Sequence, residues 1–172
     1  MTTIGSLCTG YGGLDMAVEV FTGGTLLWTA DLDKHASIVI NSRMPHAPNL
    51  GDIKKIDWHS TPRVDWLTAG YPCQPFSNAG LRKGIEDERH IWPWIAEGIS
   101  VLRPRYVYLE NVAAHVKRGL DVVLGDLDGL GYDTQWTTVR ASDPEVGAPH
   151  QRKRLFILAV DAHRESGDER VA

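Results

Sequence analysis

A cysteine between two prolines stands out as a residue that could do chemistry. Residues 70–80 read GYPCQPFSNAG, which places Cys73 between Pro72 and Pro75 in a segment rich in turn-forming residues. Proline restricts the backbone and removes an amide donor, so the pattern predicts a loop that presents the Cys73 side chain. The thiolate of cysteine is strongly nucleophilic, and nearby cations lower its ordinary pKa of about 8.5. We interpret Cys73 as a candidate nucleophile; an inert buried thiol is the alternative for one cysteine taken alone.

A carboxyl group is the natural partner for such a nucleophile. Glu110 ends an apolar, strand-like segment that reads YVYLEN. A carboxyl group in a partly apolar pocket stays protonated and donates a hydrogen bond. A thiolate and a carboxylic acid that face one cleft suit conjugate addition to an electron-poor ring. A solvated surface glutamate is the alternative for Glu110 taken alone.

A glycine-rich turn near the N-terminus has the pattern of a cofactor loop. Residues 8–13 read CTGYGG, and Gly10, Gly12 and Gly13 allow a ligand to approach the backbone closely. The following helix offers free amide donors at its N-terminus. Asp31 follows at close to the roughly 20-residue offset at which an acid meets ribose hydroxyls. These features predict a nucleoside-containing cofactor, and the missing GxGxxG pattern disfavours a nicotinamide; a plain tight turn is the alternative.

A second acid follows what we predict to be the third strand position. Asp52 in LGDI is placed to accept a hydrogen bond from an adenine amino group, with Ile53 against the ring. An acid that merely caps a turn is the alternative. On this count of strands, Cys73 and Glu110 follow the fourth and fifth strands.

Composition limits the class of protein. The chain has 172 residues, of which 42% are hydrophobic, as expected for one globular domain. We find neither an apolar run of membrane-spanning length nor a signal segment, so we expect a cytoplasmic protein. Cys8 and Cys73 have no metal-ligand spacing, so we predict free thiols and no metal site. The net charge of −4 argues mildly against nucleic acid, although basic residues cluster locally, as at Arg152–Arg154.

Strand-like and helix-like segments alternate along the chain. This alternation predicts an α/β fold with a doubly wound, mostly parallel, Rossmann-like sheet. Pro93 is expected in the first turn of a helix or at a bend in it. In such sheets ligands bind beyond the carboxyl ends of the strands, where the glycine turn and the Cys73 loop both fall.

Taken in order, these motifs resemble the cytosine-5 DNA methyltransferases. SLCTGYGGLDMAVE resembles the cofactor loop of that family, ADLDKHA its ribose acid, and GDI its adenine contact. GYPCQPFSNAG resembles its catalytic loop, ENV its acid motif and GAPHQRKRLFILA its arginine motif. The resemblance covers residues 4–160. It implies an S-adenosylmethionine-dependent catalytic domain over residues 1–160, followed by a polar tail over residues 161–172.

The resemblance also implies a mechanism. Cys73 would add to carbon 6 of cytosine, which makes carbon 5 nucleophilic, while Glu110 would protonate or hydrogen-bond ring nitrogen 3. S-adenosylmethionine would donate the methyl group and leave as S-adenosylhomocysteine. Double-stranded DNA would be the partner, with the cytosine flipped out of the stack.

Family roles extend to further residues of this sequence. Asn111 would steady the catalytic loop, and Arg152 and Arg154 would bind the cytosine carbonyl and nearby backbone. DNA contacts would come from Gln74, Ser77, Arg82 and Lys83. The cofactor would be bound by Leu7, Cys8, Gly10, Gly12, Gly13, Asp31, Leu32, Asp52, Ile53, Gly70 and Pro72.

The sequence departs from the family pattern in three ways. Cys8 stands where an aromatic residue is common, and His150 where glutamine is usual.

The third departure concerns the family's additional domain. Family members normally continue into a target-reading domain and a last segment whose helix returns beside the cofactor loop. We expect activity alone with weak specificity, or as a catalytic subunit of a split methyltransferase; an inactive remnant that binds S-adenosylmethionine or a partner is the alternative. The split enzyme predicts an apolar patch, exposed or covered by another chain, at the sheet edge near the glycine turn. A restriction-modification role and protection of a phage genome both stay open.

Overall fold

The structure is a computed structural model, and it describes residues 1–72 and 91–163. The candidate nucleophile Cys73 and the predicted DNA contacts lie outside these ranges: Gln74, Ser77, Arg82 and Lys83. Their predicted roles therefore stay predictions.

Strands and helices alternate through most of the described chain. The strands are β1 (Thr3–Leu7), β2 (Thr25–Ala30), β3 (Trp66–Ala69), β4 (Tyr106–Val112), β5 (Tyr132–Arg140) and β6 (Lys153–Asp161). The helices are α1 (Gly13–Thr22), α2 (Lys34–Arg43), α3 (Trp92–Leu102) and α4 (Leu120–Gly129), with short 3-10 helices at Ile53–Lys55 and Ala113–Lys117. Strand β6 includes Asp161, the first residue of the predicted tail.

The strands form one sheet in the order β2-β1-β3-β4-β6-β5. Strands β2, β1, β3 and β4 are parallel, whereas β6 runs antiparallel to both β4 and β5. The strand order reverses between β1 and β3, and the carboxyl ends of the parallel strands meet there. This is the switch point at which α/β sheets of this kind bind ligands.

The strand count from the sequence is wrong in one place. The segment before Asp52 forms only an isolated parallel bridge between Thr29 and Asn49. Strands β3 and β4, rather than a fourth and a fifth strand, therefore precede Gly70 and contain Glu110. A single bridge leaves this segment free to turn, because it lacks the continuous ladder of a strand.

The two faces of the sheet are covered unequally. In β4, Val107 and Leu109 are fully buried, whereas Tyr106 and Tyr108, which alternate with them, are half-buried. The buried side packs against α3 and α4 in the main core. On the other side, α1 packs on the first three strands in a smaller core that includes Ile4. Aromatic side chains of β4 and β6 remain partly open on that side.

Local signals explain where the helices begin. The Asp33 carboxylate caps α2 by accepting hydrogen bonds from the amides of His35 and Ala36, both at 2.8 Å. Pro93 lies in the first turn of α3, as predicted, where its missing amide hydrogen costs no helical bond. In the described ranges, we find no helix with the length and hydropathy needed to cross a membrane.

Candidate functional site

Two adjoining clefts open at the carboxyl ends of the parallel strands. The first, here called the Asp31 cleft, has a volume of about 1060 Å³. The second, called the Glu110 cleft, has a volume of about 690 Å³. Cys8, Gly10 and Gly70 line both clefts, so a ligand in one can reach a group in the other across this shared wall.

Most of the predicted cofactor residues line the Asp31 cleft. They come from the ends of β1, β2 and β3 and from the 3-10 helix Ile53–Lys55. The predicted residues on this wall are Cys8, Gly10, Asp31, Leu32, Asp52, Ile53, Gly70 and Pro72. Leu7 and Gly13 line the Glu110 cleft instead. Gly12 lines neither cleft, and its predicted role stays a prediction.

Asp31 is held by the backbone around it. Its Oδ2 accepts a hydrogen bond from the Gly10 amide at 2.8 Å, and its Oδ1 accepts one from the Asp33 amide, also at 2.8 Å. Asn49 Oδ1 accepts hydrogen bonds from the amides of Asp31 and Gly51, at 2.9 and 3.0 Å. Asn49 thus joins two walls of the cleft. Asn49 is not among the predicted site residues, because nothing in the local sequence pattern distinguishes it from a turn residue.

Asp52 both caps a turn and lines the cleft, the two alternatives that its sequence leaves open. Its side chain caps the 3-10 helix by accepting a hydrogen bond from the Lys54 amide at 3.0 Å. It also lines the Asp31 cleft beside Ile53, which is buried. The cap therefore orients the carboxylate without removing it from the cleft.

The glycine turn requires left-handed backbone conformations. Gly10 has a φ of 57° and Gly12 a φ of 79°. A β-carbon at Gly12 would lie 1.8 Å from Met44 Cε, so a side chain there meets both strain and a clash. Cys8 also has a positive φ of 51°. Burial, with a contribution from the Asp31 charge, raises the pKa of Cys8 to about 12, so Cys8 is a protonated thiol near neutral pH.

An ion pair marks the Glu110 cleft. Arg154 Nε lies 2.6 Å from Glu110 Oε1, and both residues line the cleft together with Arg152. The pairing of β4 with β6 explains this proximity, because it places Val112 opposite Arg154 and Glu110 opposite Phe156. The Glu110 side chain is 24% exposed and paired with a guanidinium group, so its surroundings are not the apolar pocket expected from sequence. Its Oε2 faces Gly70, where a β-carbon would lie 3.6 Å away.

Asn111 lies on the opposite face of β4 from Glu110 and is buried, with 2% of its surface exposed. Its Nδ2 donates a hydrogen bond to the Tyr71 carbonyl at 3.1 Å, and its Oδ1 accepts one from the Val112 amide at 2.8 Å. Tyr71 precedes Pro72 and Cys73 in the sequence. Asn111 therefore fixes the backbone at Tyr71, two residues before the candidate nucleophile in the sequence.

A buried aromatic pair supports the same segment. The Tyr71 hydroxyl lies 3.1 Å from His115 Nε2, and both side chains are nearly inaccessible to solvent. Burial lowers the pKa of His115 below its ordinary value. Neither residue is among the predicted site residues, since the two lie on separate segments of the chain and neither belongs to a recognisable sequence pattern.

Apolar side chains are exposed along α1, chiefly in its last turn. Met16 and Val20 lie one turn apart on one face of the helix and are 43% and 86% exposed; Phe21 is 81% exposed. Phe21 packs edge-on against Trp66 of β3. These side chains lie mostly at the end of α1 remote from the glycine turn, so the apolar patch that the split enzyme predicts at the sheet edge near that turn stays a prediction.

The hydrogen-bond acceptors and the shape of the Asp31 cleft fit a nucleoside. It combines carboxylate acceptors at Asp31 and Asp52 with an apolar wall at Ile53 and a turn without side chains at Gly10. Among residues 1–72 and 91–163, we find no cluster of three or more side chains suited to a metal ion.

Comparisons with known proteins identify the family. The model of the C-5 cytosine-specific DNA methylases matches residues 2–170. The type II methyltransferase M.DsaV of Dactylococcopsis salina is 34% identical over 88% of this chain and 44% of its own length. M.NlaX of Neisseria lactamica is 33% identical over 95% of this chain and 53% of its own length. The chain thus spans about half the length of these relatives.

Solved structures agree on the fold. The Dnmt2 methyltransferase of S. pombe superposes with a TM-score of 0.80 at 20% identity, covering 94% of this chain and 51% of that one. The predicted Rossmann-like methyltransferase fold is therefore confirmed. Given its fold and the match along nearly its whole length, the chain belongs to the C-5 cytosine-specific DNA methylase family.

Proposed function

We propose that this chain is the catalytic lobe of a DNA (cytosine-5)-methyltransferase, acting on cytosine in double-stranded DNA. The main support is the Glu110–Arg154 pair, 2.6 Å apart, in a cleft that shares its wall with the Asp31 cleft. A methyl donor in one cleft and a pyrimidine in the other meet across Gly70. Residues 1–160 form the catalytic domain in this proposal.

S-adenosylmethionine is the proposed cofactor of the Asp31 cleft. It supplies a methyl group on a sulfonium centre, whose departure leaves a neutral thioether. Asp31 has spare lone pairs for ribose hydroxyls, since each carboxylate oxygen accepts one backbone bond and has capacity for another. Asp52 accepts from the adenine amino group, and Ile53 and Leu32 supply apolar contacts to the ring.

Cys73 and Glu110 divide the work on cytosine. The Cys73 thiolate adds to carbon 6, which breaks the double bond between carbons 5 and 6 and moves its electrons toward ring nitrogen 3. That nitrogen takes up a proton from solvent, and Glu110 accepts a hydrogen bond from it at Oε2, the oxygen not used by Arg154. Carbon 5 then takes the methyl group, loses its proton to a base, and the restored double bond expels Cys73. Stabilising the charge on the ring is typically worth about 3 kcal/mol of barrier.

Arginine and asparagine side chains position these groups. Arg154 fixes the Glu110 rotamer through its Nε, while Arg152 and the remaining Arg154 donors bind the cytosine carbonyl and nearby backbone. Asn111 holds the Tyr71 carbonyl, two residues before Cys73 in the sequence. Gln74, Ser77, Arg82 and Lys83 contact the phosphates and bases around the flipped nucleotide.

A second subunit, as in a split methyltransferase, is part of the proposal. The exposed apolar face of α1, with Val20 at 86% exposure, adjoins half-buried aromatics of the sheet and favours a covering element. Val20→Lys should weaken binding of a separately expressed carboxyl-terminal half of one of the relatives by at least tenfold. Val122→Lys, at an exposed valine on α4, is the control and should have no effect. Equal binding by both variants would contradict this partner surface.

Tritium transfer from labelled S-adenosylmethionine to cytosine-containing duplex DNA tests the function. We expect label in DNA, alone or with the partner half, and none with Cys73→Ser. No label under any condition, with S-adenosylmethionine still bound, would favour a protein that only binds the cofactor or a partner.

The proposal also includes a cytoplasmic location and a role in restriction-modification.

A further inference from the structure

A carboxyl group is buried beneath the glycine turn and has no role in the chemistry proposed above. Asp15 is the third residue of α1, and only 1% of its surface is exposed. An acid in the first turn of a helix ordinarily faces solvent in its ionised form, where it compensates the positive end of the helix dipole. Asp15 points inward instead, toward Thr68 of β3.

The hydrogen bonds around Asp15 can be counted proton by proton. Asp15 Oδ1 contacts Thr68 Oγ1, and Thr68 Oγ1 also lies 3.3 Å from the Gly5 carbonyl oxygen. A threonine hydroxyl has one hydrogen, and a carbonyl oxygen can only accept. If Thr68 donates to Gly5, the proton between Asp15 and Thr68 must come from Asp15. Both contacts are then satisfied by a neutral acid, and only one by a carboxylate.

The charges around Asp15 favour the same state. Within the described part of the chain, Asp15 Oδ2 is buried and has no hydrogen-bond partner. Ser6 of β1, Thr68 of β3 and Met44 at the end of α2 face it without charge, and Glu19 on α1 adds a negative one. Burial raises the pKa of Asp15, the Glu19 charge raises it further, and the neighbouring hydroxyls of Thr68 and Ser6 offset part of the rise.

We propose that Asp15 is a neutral positioning residue whose acid proton bonds Thr68, which in turn bonds the Gly5 carbonyl, so that the first turn of α1 is held to β3 and β1 without a buried negative charge. The positive end of α1 then stays uncompensated. The test of this inference by cofactor affinity rests on the proposed function.

The protonation state can be measured without any ligand. In the whole chain with carbon-13-labelled aspartate carboxyls, we expect one resonance at the position of a protonated acid at neutral pH. That resonance should disappear in Asp15→Asn. A wild-type spectrum in which every aspartate appears ionised at neutral pH would overturn the proposal.

The pH dependence of the melting temperature gives a second test, because a loss of packing alone would not change that dependence. Because the folded pKa is raised, the wild type loses stability as pH rises above the ordinary aspartate pKa of about 3.9. Asp15→Asn keeps a donor for Thr68 and has no proton to lose. The melting temperature of the variant minus that of the wild type should therefore increase with pH; parallel profiles would contradict the proposal.

Ligand affinity tests the positioning role. Asp15→Asn should bind S-adenosylhomocysteine within about threefold of wild type, and Asp15→Leu at least tenfold more weakly. Asp65→Leu is the matched control, because it breaks a comparable carboxyl–threonine bond, 2.9 Å to Thr3 Oγ1, at the other end of β1. Equal affinity in Asp15→Leu and wild type would overturn the role. Failure of the wild type to bind contradicts the proposed function, while the resonance and the pH profile still decide the state of Asp15.

Discussion

Arg154 Nε lies 2.6 Å from Glu110 Oε1, which joins two strands whose contact the sequence does not show. The antiparallel pairing of β4 with β6 brings the start of one strand beside the end of the other. The pair leaves Glu110 Oε2 facing Gly70, where the two clefts meet. Position and orientation of the acid are therefore both set by the fold.

Glu110→Gln should lower methyl transfer by about 10²- to 10³-fold, the usual cost of losing one group that stabilises developing charge. Affinity for S-adenosylhomocysteine should stay within about twofold, since Glu110 does not line the Asp31 cleft. Single-turnover tritium transfer and calorimetry measure the two quantities. Glu97→Gln, an exposed position on α3, is the matched control. Equal loss of cofactor affinity and rate would contradict this division of roles.

Asp31→Asn should weaken S-adenosylhomocysteine binding at least tenfold, because the amide replaces one of the oxygens that hold Gly10 and the ribose. Calorimetric titration measures this loss. Asp57→Asn changes an exposed acid that also caps a turn, through the His59 amide at 3.0 Å, but lies outside both clefts. A comparable effect of the two variants would show that the loss is not local to the cleft.

Asn111→Ala should lower the free energy of unfolding by about 1–3 kcal/mol, because it leaves the buried Tyr71 carbonyl without its donor. Methyl transfer should fall further than stability alone explains, since the same bond fixes the backbone before Cys73. Urea unfolding and turnover below the melting range measure the two effects. The exposed Asn41→Ala should change the unfolding free energy by less than about 0.5 kcal/mol. Full activity in Asn111→Ala would contradict the positioning role.

Protonation of His115 should destabilise the fold in mild acid. Burial lowers its folded pKa, so the stability it contributes is present above the unfolded pKa of about 6.5 and is lost as pH falls toward the folded value. His115→Gln should reduce the fall in melting temperature between neutral pH and mild acid. His46→Gln, at an exposed site, should follow the wild-type profile. An unchanged profile in His115→Gln would contradict the assignment.

Much of the fold follows from local sequence patterns. The glycine turn, the capping residue Asp33 and the alternation in β4 each determine one element from its own residues. The segment before Asp52 forms one bridge rather than the strand that its sequence predicts, because strand formation there depends on a pairing partner and not on propensity alone. The direction of β6 is likewise a property of pairing, and no local pattern encodes it.

In the candidate site too, local sequence predicts some residues but not those whose roles depend on distant contacts. Asp31 and Asp52 were predictable, since each directly follows a recognisable segment. Asn49 and Asp15 were not, because their roles depend on contacts that span the fold, such as Asp15 with Thr68, 53 positions apart. The role of a residue whose polar neighbours come from different strands and helices cannot be predicted until the pairing of the strands is known.

Covalent trapping of Cys73 tests the central claim most directly. In duplex DNA with 5-fluorocytosine, the fluorine on carbon 5 blocks the proton loss that expels the enzyme, so the adduct accumulates. With S-adenosylmethionine and, where needed, the partner half, we predict a denaturant-resistant complex whose peptide map places the base on Cys73. Cys8, whose pKa burial raises to about 12, should stay unmodified, and Cys73→Ser should give no complex. An adduct on another residue, or methylated cytosine produced by Cys73→Ser at the wild-type rate, would contradict the account.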